Sequence, residues 1–416
     1  MRHRLFELLP ATRHRDFRAL WGGSACSSIA LWTLLLGNGF IVHKLSDSSL
    51  WVGVATFATM SPYFIAPLGG TIADRVERRW LVRLTRVATF AVTVGLFLVA
   101  ITNVIEVWMV VAFAFATGLI RSVEIPADQA LLPAVVPPEH RASAVALQST
   151  SQHGSRAVGA LLSAPLLSTV GVEGAYAVSA IFALLAFTSV SQVRVSSRGG
   201  VTRLADVAEN LREGLAYVRS TPPVLAIFVL VVAHCSLTMS FDSMLPGFAE
   251  DELHRPSGGL TVMTFGVGAG ALVGTLVLSV MTGIRRGPLL LATALVSGLS
   301  PLAMSISHQL ESAVASSVLM GSSQAMFMAL SAVLLQEVVP DAIRGRFMSL
   351  YLMAAGGIMA VMNLGFGALA DQAGTPILFA APGLAFVAIT IASVAAGPHL
   401  RRIYRTGAMA SGPASA

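Results

Sequence analysis

Long apolar stretches separated by short polar connectors occupy the chain from Phe17 to Gly397. A helix of about twenty apolar residues, rising 1.5 Å per residue, crosses a hydrocarbon core of about 30 Å. The strands of a membrane barrel would instead alternate apolar and polar residues in segments of about ten, and runs such as Trp108 to Ala116 do not alternate. The pattern therefore predicts an all-α integral membrane protein.

The polar connectors divide the chain into twelve predicted transmembrane helices. Their bounds are 17–44, 50–73, 80–102, 105–132, 142–170, 172–192, 223–248, 258–283, 287–307, 311–338, 346–371 and 375–397. We interpret the first as an uncleaved span, because its apolar run is longer than the core of a signal peptide, about 7–15 residues.

The longest connector, residues 193–222, predicts three parts for the chain. Residues 1–192 form an N-terminal six-helix bundle, and 223–416 form a C-terminal six-helix bundle with a short cytoplasmic tail. The connector itself has apolar residues at steps of three and four, namely Leu204, Val207, Leu211, Leu215 and Val218. This spacing predicts an amphipathic helix on the cytoplasmic membrane surface that tethers the two bundles.

The two halves are related by an internal repeat. Gly118 to Leu147 matches Gly321 to Leu350 without gaps, and both segments cover the fourth span of a half, a turn and the start of the fifth span. Shared residues include Leu131/Leu334, Leu132/Leu335, Val135/Val338, Val136/Val339, Pro137/Pro340 and Arg141/Arg344. Two pseudo-symmetric six-helix bundles predict a transporter that rocks around a substrate site near the bilayer midplane.

The basic residues indicate the orientation. With connectors assigned alternately to two sides, Lys44 and Arg255 fall on one side, and Arg121 and Arg156 fall within spans. All the other lysines and arginines among the 27 fall on the opposite side. Because Lys and Arg concentrate in cytoplasmic connectors, we expect a multi-pass protein of the cytoplasmic membrane with both termini in the cytoplasm.

Other functions find little support in the composition. Only 12% of the residues are charged, and the net charge of +6 comes from short connectors and not from a basic face with aromatic residues, so we expect no nucleic-acid partner. Cys26 and Cys235 both fall inside spans, without the spacing of a disulfide framework or a metal site. We therefore expect no metal and no cofactor.

The connector between the second and third spans, from Gly69 to Arg79, carries glycines, an acid and several arginines. Glycines let two helices approach closely, and charged groups at helix ends form bonds that exist in only one conformation. We predict that this connector is a conformational latch. An ordinary positively charged cytoplasmic loop is the alternative.

Within that connector, the latch residues Gly70, Asp74, Arg75 and Arg79 resemble the signature loop Gly-x-x-x-Asp-Arg-x-x-x-Arg of the major facilitator superfamily. The resemblance implies the major facilitator fold and a clamp that closes the cytoplasmic side, in which Arg78 would also take part. The equivalent loop of the second half, residues 283–287, lacks the acid. Residues 367–371 repeat the glycine-to-acid spacing near the outer face, as a weak echo.

Three further segments, residues 16–21, 129–133 and 211–219, resemble the branch of drug and siderophore exporters that includes the enterobactin exporter and macrolide efflux proteins. This resemblance covers essentially the whole chain. It implies proton-coupled export of an amphipathic small molecule. Proton antiporters of the superfamily usually carry a Gly-Pro pair in the fifth span, whereas Ala160 follows Gly159 here, so the direction of transport depends on the branch resemblance.

Charged residues within spans are candidates for coupling, because each costs at least about 2.5–3.5 kcal/mol at the bilayer centre unless it has a partner or water. Arg121, Glu124 and Asp128 share one face of the fourth span, and Arg156 lies in the fifth. We predict that Arg121, Glu124 and Arg156 line the central cavity, with Glu124 as the proton-coupling candidate. A permanent network that joins the two spans is the alternative, and Asp128, nearer the cytoplasm, could belong to the latch.

The second half adds His234 and Asp242, which lie eight residues apart in the seventh span and are candidates for a proton path. For His234 the alternative is a hydrogen-bonded packing residue. Asn38, Gln324 and Asn363 are uncharged candidates for the substrate cavity, and bonds between helices explain them equally well.

The sequence thus predicts a secondary active transporter, acting as a monomer in the lipid bilayer, with a small-molecule substrate and protons as the coupling ion. An importer on the same fold is the alternative. A membrane enzyme would need clustered Asp or His at one membrane face, and a sensor would need an additional soluble domain. No nucleotide-binding loop is evident, so we expect no coupling to ATP within the chain.

Overall fold

The computed structural model describes residues 10–197, 206–281 and 285–407. Within these ranges the regular elements are all helices, in agreement with the predicted fold class. Helices satisfy their own backbone hydrogen bonds, which a chain in lipid requires, because the hydrocarbon offers no other donor or acceptor.

The first bundle contains seven helices that form six spans. They are α1 (Arg15–Ser46), α2 (Ser49–Met60), α3 (Ala66–Arg75), α4 (Arg78–Ile101), α5 (Val107–Leu131), α6 (Arg141–Thr169) and α7 (Val172–Ser191). A short 3-10 turn, Ser61–Ile65, joins α2 to α3, so that the second span is one irregular helix with Pro62 and Pro67 at its joints. Proline cannot donate the backbone bond that a continuous helix would need there.

The second half adds nine helices. They are α8 (Asp206–Ser220), α9 (Pro222–Leu237), α10 (Leu245–Asp251), α11 (Pro256–Val280), α12 (Arg286–Ser305), α13 (Leu310–Val338), α14 (Asp341–Ala373), α15 (Thr375–Ala396) and α16 (Pro398–Thr406). The seventh span is broken, because residues 238–244 separate α9 from α10.

Ten described helical segments are long and apolar enough to cross a membrane by themselves. The number rises to eleven if the bent pair α8 and α9 is one span, which is roughly consistent with the predicted twelve; α6 is not among them. We attribute the lower hydropathy of α6 to its polar residues, which include Gln148, Gln152 and Arg156. Helix α6 packs between α1 of its own bundle and α11 of the other, and Gln148 and Arg156 are partly buried there, whereas Gln152 is exposed.

The two bundles contact each other mainly through two helix pairs, α6 with α11 and α2 with α14. We call the end of the molecule where α1 begins and α16 lies the terminal end, and the opposite end, where α1 ends and α2 begins, the far end. The terminal end is tied together by side chains such as that of Asp16, which accepts hydrogen bonds from the backbone N–H groups of Arg194 and Val195 at 3.0 and 2.8 Å.

The connector between the halves differs from our expectation in one respect. The amphipathic helix α8 is present and makes an angle of 108° with α9, and its partly buried Leu211 and Leu215 and its fully buried Val218 pack against the core of the second bundle. The Tyr217 hydroxyl donates to the Val338 carbonyl at 3.2 Å. The apolar stripe binds protein because the second bundle presents an apolar surface to it; Leu204, also assigned to this stripe, lies outside the described residues.

Candidate functional site

A cavity of about 660 Å³ lies between the two bundles and includes its open mouth. Both bundles contribute to its wall, including Trp32, Asn38, Thr56, Thr59, Arg156, Asp242, Pro246 and Thr264. Most of the other lining residues, for example Leu35 and Leu260, are apolar. A mostly apolar cavity with a few polar groups, located where two bundles meet, is the usual form of a small-molecule site.

One ion pair crosses the cavity from bundle to bundle. Arg156 on α6 donates to Asp242, in the break of the seventh span, with 2.9 Å between Nη2 and Oδ1. The guanidinium of Arg156 also lies 4.4 Å above the ring of Trp32 and 5.7 Å from that of Phe241. The pair neutralises both charges, and the Trp32 ring adds a cation–π attraction. The two bundles are therefore connected through the cavity by a bond that their separation would break.

The threonine hydroxyls in the cavity wall donate hydrogen bonds to backbone carbonyls of their own helices. Thr56, Thr59 and Thr264 each donate to a carbonyl four residues earlier, at 2.9 to 3.0 Å. Asn38 behaves differently, because its Oδ1 accepts from the Tyr176 hydroxyl at 2.9 Å while its Nδ2 has no partner. Hydrogen-bond donors that are available to a ligand are therefore few in this cavity.

A second charged cluster is enclosed within the first bundle. Arg86 on α4 is fully buried and forms ion pairs with Glu124 and, at 2.6 Å, with Asp128, both on α5. Arg121 adds a second cation to Glu124 at 2.8 Å. The hydroxyl groups of Ser24 and Ser27 on α1 donate to Asp128 and Glu124, each at 2.9 Å. Two acids and two arginines thus balance one another, as burial in lipid requires.

The composition of this cluster corrects our prediction in two ways. We assigned Arg86 to the cytoplasmic basic group, and that was wrong, because it lies eight residues inside α4, about 12 Å along the helix. The alternative of a network that joins the fourth and fifth spans would have paired Arg156 with the acids of the fourth span, whereas Arg156 pairs with Asp242. The position of Arg86 inside an apolar span was the available signal, but its acidic partners lie on another helix.

Neither Glu124 nor Arg121 is among the residues that line the cavity, although we expected both there. Glu124 is only 1% exposed, because Arg86, Arg121 and Ser27 surround it. Arg156 does line the cavity, as predicted for it. The cavity between the bundles and the buried cluster within the first bundle are therefore two separate sites.

His234 and Asp242, which we considered as one proton path, have different surroundings. His234 is fully buried, with its ring centroid 4.3 Å from that of Phe327 and 5.2 Å from that of Phe386, and its Nε2 lies 2.8 Å from the Ser297 hydroxyl. Helix α9 ends at Leu237, so the eight residues from His234 to Asp242 are not two turns of one helix. The packing of His234 corresponds to the alternative that we left open.

Gln324 and Asn363 bond to the broken part of the seventh span. The Gln324 side chain donates to the Thr238 carbonyl at 2.7 Å, and Asn363 Oδ1 accepts from the Ser243 N–H at 3.1 Å. Backbone groups freed by a helix break need such partners in a membrane. These two amides hold the break in place, and thereby the position of Asp242, while neither residue lines the cavity.

The predicted latch lies at the terminal end. Arg78 donates to the carbonyl of Ala130 and to the Ser197 hydroxyl at 3.2 and 3.1 Å, and Arg79 forms an ion pair with Glu77 at 2.9 Å. The helix carrying the glycines approaches α5 so closely that a Cβ on Gly69 would collide with the Ser122 carbonyl. Arg75 ends α3 and is exposed; Gly70 and Asp74 lie on α3, and the side chain of Asp74 is outside the described residues.

Comparisons with known proteins agree with this architecture. Residues 8–404 match a family described as transmembrane secretion effectors. The chain is 24% identical to macrolide efflux protein A of Streptococcus pyogenes over 90% of this chain and 94% of that protein. It is 21% identical to the staphyloferrin A transporter of Staphylococcus aureus over 86% of this chain and 91% of that one. A POT family transporter structure shares the fold, with a TM-score of 0.74 at 12% identity over 93% of this chain and 96% of that one.

Proposed function

Because the chain belongs to the transmembrane secretion effector family of major facilitator transporters, we propose that it exports an amphipathic small molecule across the cytoplasmic membrane by alternating access. The observation that carries the proposal is the cavity between the bundles, bridged by Arg156 and Asp242. A substrate bound there contacts both bundles, so a rocking motion of one against the other would present it first to one side and then to the other.

The cavity wall favours a molecule with an apolar body and a few polar groups. Trp32 and the aliphatic residues offer apolar surface, while Arg156 and Asp242 offer one charge of each sign. The name of one relative supports efflux of macrolides, and the name of the other supports transport of staphyloferrin A. We therefore favour export over the importer alternative, and an oxygen-rich amphipathic substrate over a small ion.

The arginine distribution supports an orientation with the terminal end in the cytoplasm. Arg78, Arg79 and Arg83 all bond to groups at the terminal end. Under the rule that cytoplasmic connectors carry the Lys and Arg excess, both chain termini are then cytoplasmic and the far end faces outward. We propose that the protein is a monomer, since the cavity is complete within one chain.

Latching of the cytoplasmic side is assigned to Gly70, Asp74, Arg75, Arg78 and Arg79. The described part of this segment supports the proposal through the bonds of Arg78 to Ala130 and Ser197, which connect α4 to the end of α5 and to the start of the connector. Both bonds lie within the first half, whereas α3 also contacts α8 and α14 of the second half, and these are the contacts that a tilt of the bundles would break and remake.

Protons are the proposed coupling ion, and the two charged sites offer two places for them. Glu124 has an unpartnered Oε2 and three bonded neighbours in Arg86, Arg121 and Ser27. Asp242 faces the cavity and is 23% exposed. A carboxylate that exchanges partners between conformations can take up a proton in one and release it in the other.

The proposed function is tested by expressing the chain in a bacterial strain that lacks its own efflux systems. We expect cells with the protein to accumulate several-fold less radiolabelled macrolide or siderophore than cells with an empty vector, and to regain the substrate when a protonophore is added. Equal accumulation of every tested compound, with the protein present in the membrane, would contradict export of these substrate types. Higher accumulation would favour the importer.

The role of Glu124 is tested with Glu124→Gln, which keeps the shape and one acceptor for Arg86 but cannot lose a proton. We expect proton-driven export to fall at least about tenfold. Exchange of labelled for unlabelled substrate should continue, because it needs no net movement of protons. Glu337→Gln, in an exposed ion pair with Arg286, is the matched control and should retain both activities. Full proton-driven export by Glu124→Gln would remove this assignment.

A further inference from the structure

Asn38 is the amide in the cavity wall that has an unsatisfied donor. The residue lines the cavity and is 3% exposed, and its Nδ2 has no hydrogen-bond partner within the described structure. A buried polar group without a partner is unfavourable by about the desolvation penalty of that group. Such a group in the wall of a binding cavity indicates a partner that arrives with the ligand.

Tyr176 determines which end of the amide is available. Its hydroxyl is fully buried with the ring and lies 2.9 Å from Asn38 Oδ1. If the amide were reversed, Nδ2 would donate to the tyrosine oxygen and the tyrosine proton would lose its acceptor. The pairing of the hydroxyl proton with Oδ1 therefore leaves both protons of the buried Nδ2 without an acceptor in the first bundle.

The other polar groups of the wall make this donor more distinctive. The hydroxyls of Thr56, Thr59 and Thr264 donate to their own helices, so they can only accept from a ligand. Besides Asn38 Nδ2, the Nε of Arg156 is also buried without a partner. Two nitrogens of wall residues, Asn38 Nδ2 and Arg156 Nε, thus lack an acceptor, which suits a ligand that carries oxygen acceptors.

On the premise of the proposed function, we propose that Asn38 is a specificity-determining residue. It donates a hydrogen bond from Nδ2 to a carbonyl, ether or hydroxyl oxygen of the transported molecule. Tyr176 is a positioning residue that holds the amide in the required orientation. The substrate class is then an apolar molecule rich in oxygen acceptors. A lipophilic cation without acceptors would form no hydrogen bond with Asn38.

The test measures binding of two probes to the purified protein in detergent. One is a radiolabelled macrolide, which carries many oxygen acceptors, and the other is tetraphenylphosphonium, which has none. For Asn38→Leu we expect the macrolide to bind about tenfold more weakly, the change expected for losing one well-formed hydrogen bond, with unchanged binding of tetraphenylphosphonium. Asn38→Asp keeps the acceptor for Tyr176 and is the second variant, with the same loss of macrolide affinity expected.

Tyr176→Phe tests the positioning role through a double-mutant cycle. It should weaken macrolide binding several-fold in the wild-type background and have no further effect in Asn38→Leu, because the orientation of an absent amide cannot matter. Equal macrolide affinity of wild type and both Asn38 variants would overturn the role of Asn38 alone. Failure of the wild type to bind either probe would count against the proposed function itself.

A second inference rests on different residues, at the far end. Asp371, near the end of α14 in the second bundle, accepts a hydrogen bond from the Ser48 hydroxyl and from the backbone N–H groups of Ser49 and Leu50, at 2.6 and 3.2 Å for the two N–H groups. Ser48 is the N-cap of α2 in the first bundle and makes no capping bond with its own side chain. An acid from one bundle thus caps a helix of the other. We call this contact the far-end clasp.

The Asp371 carboxylate is stabilised only while the two bundles are in contact at the far end. Asp371 lies in the last turn of α14, where the helix dipole disfavours an acid, and its carboxylate is stabilised by the positive start of α2. One turn earlier, a Cβ on Gly367 would collide with the Ser49 carbonyl, so glycine is required for this approach. Separation of the bundles at the far end removes all three bonds. Asp371 is then left at the negative C-terminal end of α14, without the positive start of α2 beside it.

We infer that the far-end clasp holds the outer side closed and must open for substrate release. Asp371→Ala should shift the population toward the open state, because it weakens only the closed one. The measurement is the rate at which a membrane-impermeant thiol reagent labels Thr56→Cys in the cavity, in a background with Cys26→Ser and Cys235→Ala. In intact cells we expect an increase of about five- to tenfold, and a smaller one for Ser48→Ala.

The matched control is Asp251→Ala, which removes an exposed acid at the same end of the molecule and should leave the labelling rate unchanged. The assay needs no transported substrate, so it is independent of the proposed export activity. Labelling of inverted vesicles in parallel identifies the side from which the reagent enters. An unchanged rate for both Asp371→Ala and Ser48→Ala, with Thr56→Cys still labelled in denatured protein, would overturn the inference.

Discussion

Replacing Arg86 with methionine is expected to lower the free energy of unfolding by about 3–5 kcal/mol, because it leaves the buried carboxylates of Glu124 and Asp128 without their shared cation. We expect the melting temperature in detergent to fall by roughly 10 °C. Arg86→Lys should give an intermediate result, since a lysine keeps the charge but lacks the planar fork that contacts two acids at once.

Arg83→Met is the matched control for this prediction. Arg83 lies one turn earlier on the same helix and donates to the backbone carbonyls of Ser191 and Val193, at 2.7 and 2.8 Å. It has no buried acid to neutralise, so its loss should change the stability by about 1 kcal/mol. If Arg86→Met melted at the same temperature as Arg83→Met, the cluster would not be a principal support of the first bundle.

Neutralising Asp242 is expected to have the largest effect on transport. Asp242→Asn leaves the Arg156 guanidinium in the cavity without its carboxylate, and the ion pair that connects the two bundles is lost. We expect the initial rate of export to fall at least about a hundredfold, equivalent to about 2.7 kcal/mol, with normal amounts of protein in the membrane. Arg156→Gln should have a similar effect, and the double variant should recover stability but not transport.

The exposed ion pair between Arg286 and Glu337 provides the control for Asp242→Asn. Both of its side chains are about half exposed, and exposed pairs contribute little to stability. Glu337→Gln should therefore transport at nearly the wild-type rate. Transport by Asp242→Asn at a rate close to that of Glu337→Gln would show that the cavity pair is dispensable, and the proposed substrate site would have to be sought elsewhere.

Much of the fold could be predicted from the apolar pattern, because helices in lipid must be long, apolar and internally bonded. Twelve spans, two related halves and an amphipathic helix between them all follow from local sequence. The break between α9 and α10 was not predictable in this way. Residues 238–244 are polar only in part, and the break is stabilised by Gln324 and Asn363, which lie far away in the chain.

The candidate site was predicted less completely for the same reason. Spacing along one helix grouped Arg121, Glu124 and Asp128 correctly, but it could not show that Arg86 approaches them from α4 or that Arg156 reaches across to the second bundle. Both are contacts between different helices, so the spacing of residues along one helix does not predict them. Asp371 is a similar case, since its glycine spacing was visible in the sequence and its three partners on α2 were not.

The most direct test of the account is uptake of a radiolabelled macrolide into inverted membrane vesicles, whose outer surface is the cytoplasmic face of the membrane. When respiration acidifies the lumen, we predict uptake by vesicles that contain the protein, its loss on addition of a protonophore, and its loss in Asp242→Asn. Uptake no greater than in vesicles without the protein, or accumulation only in right-side-out vesicles, would contradict proton-driven export through the cavity between the bundles.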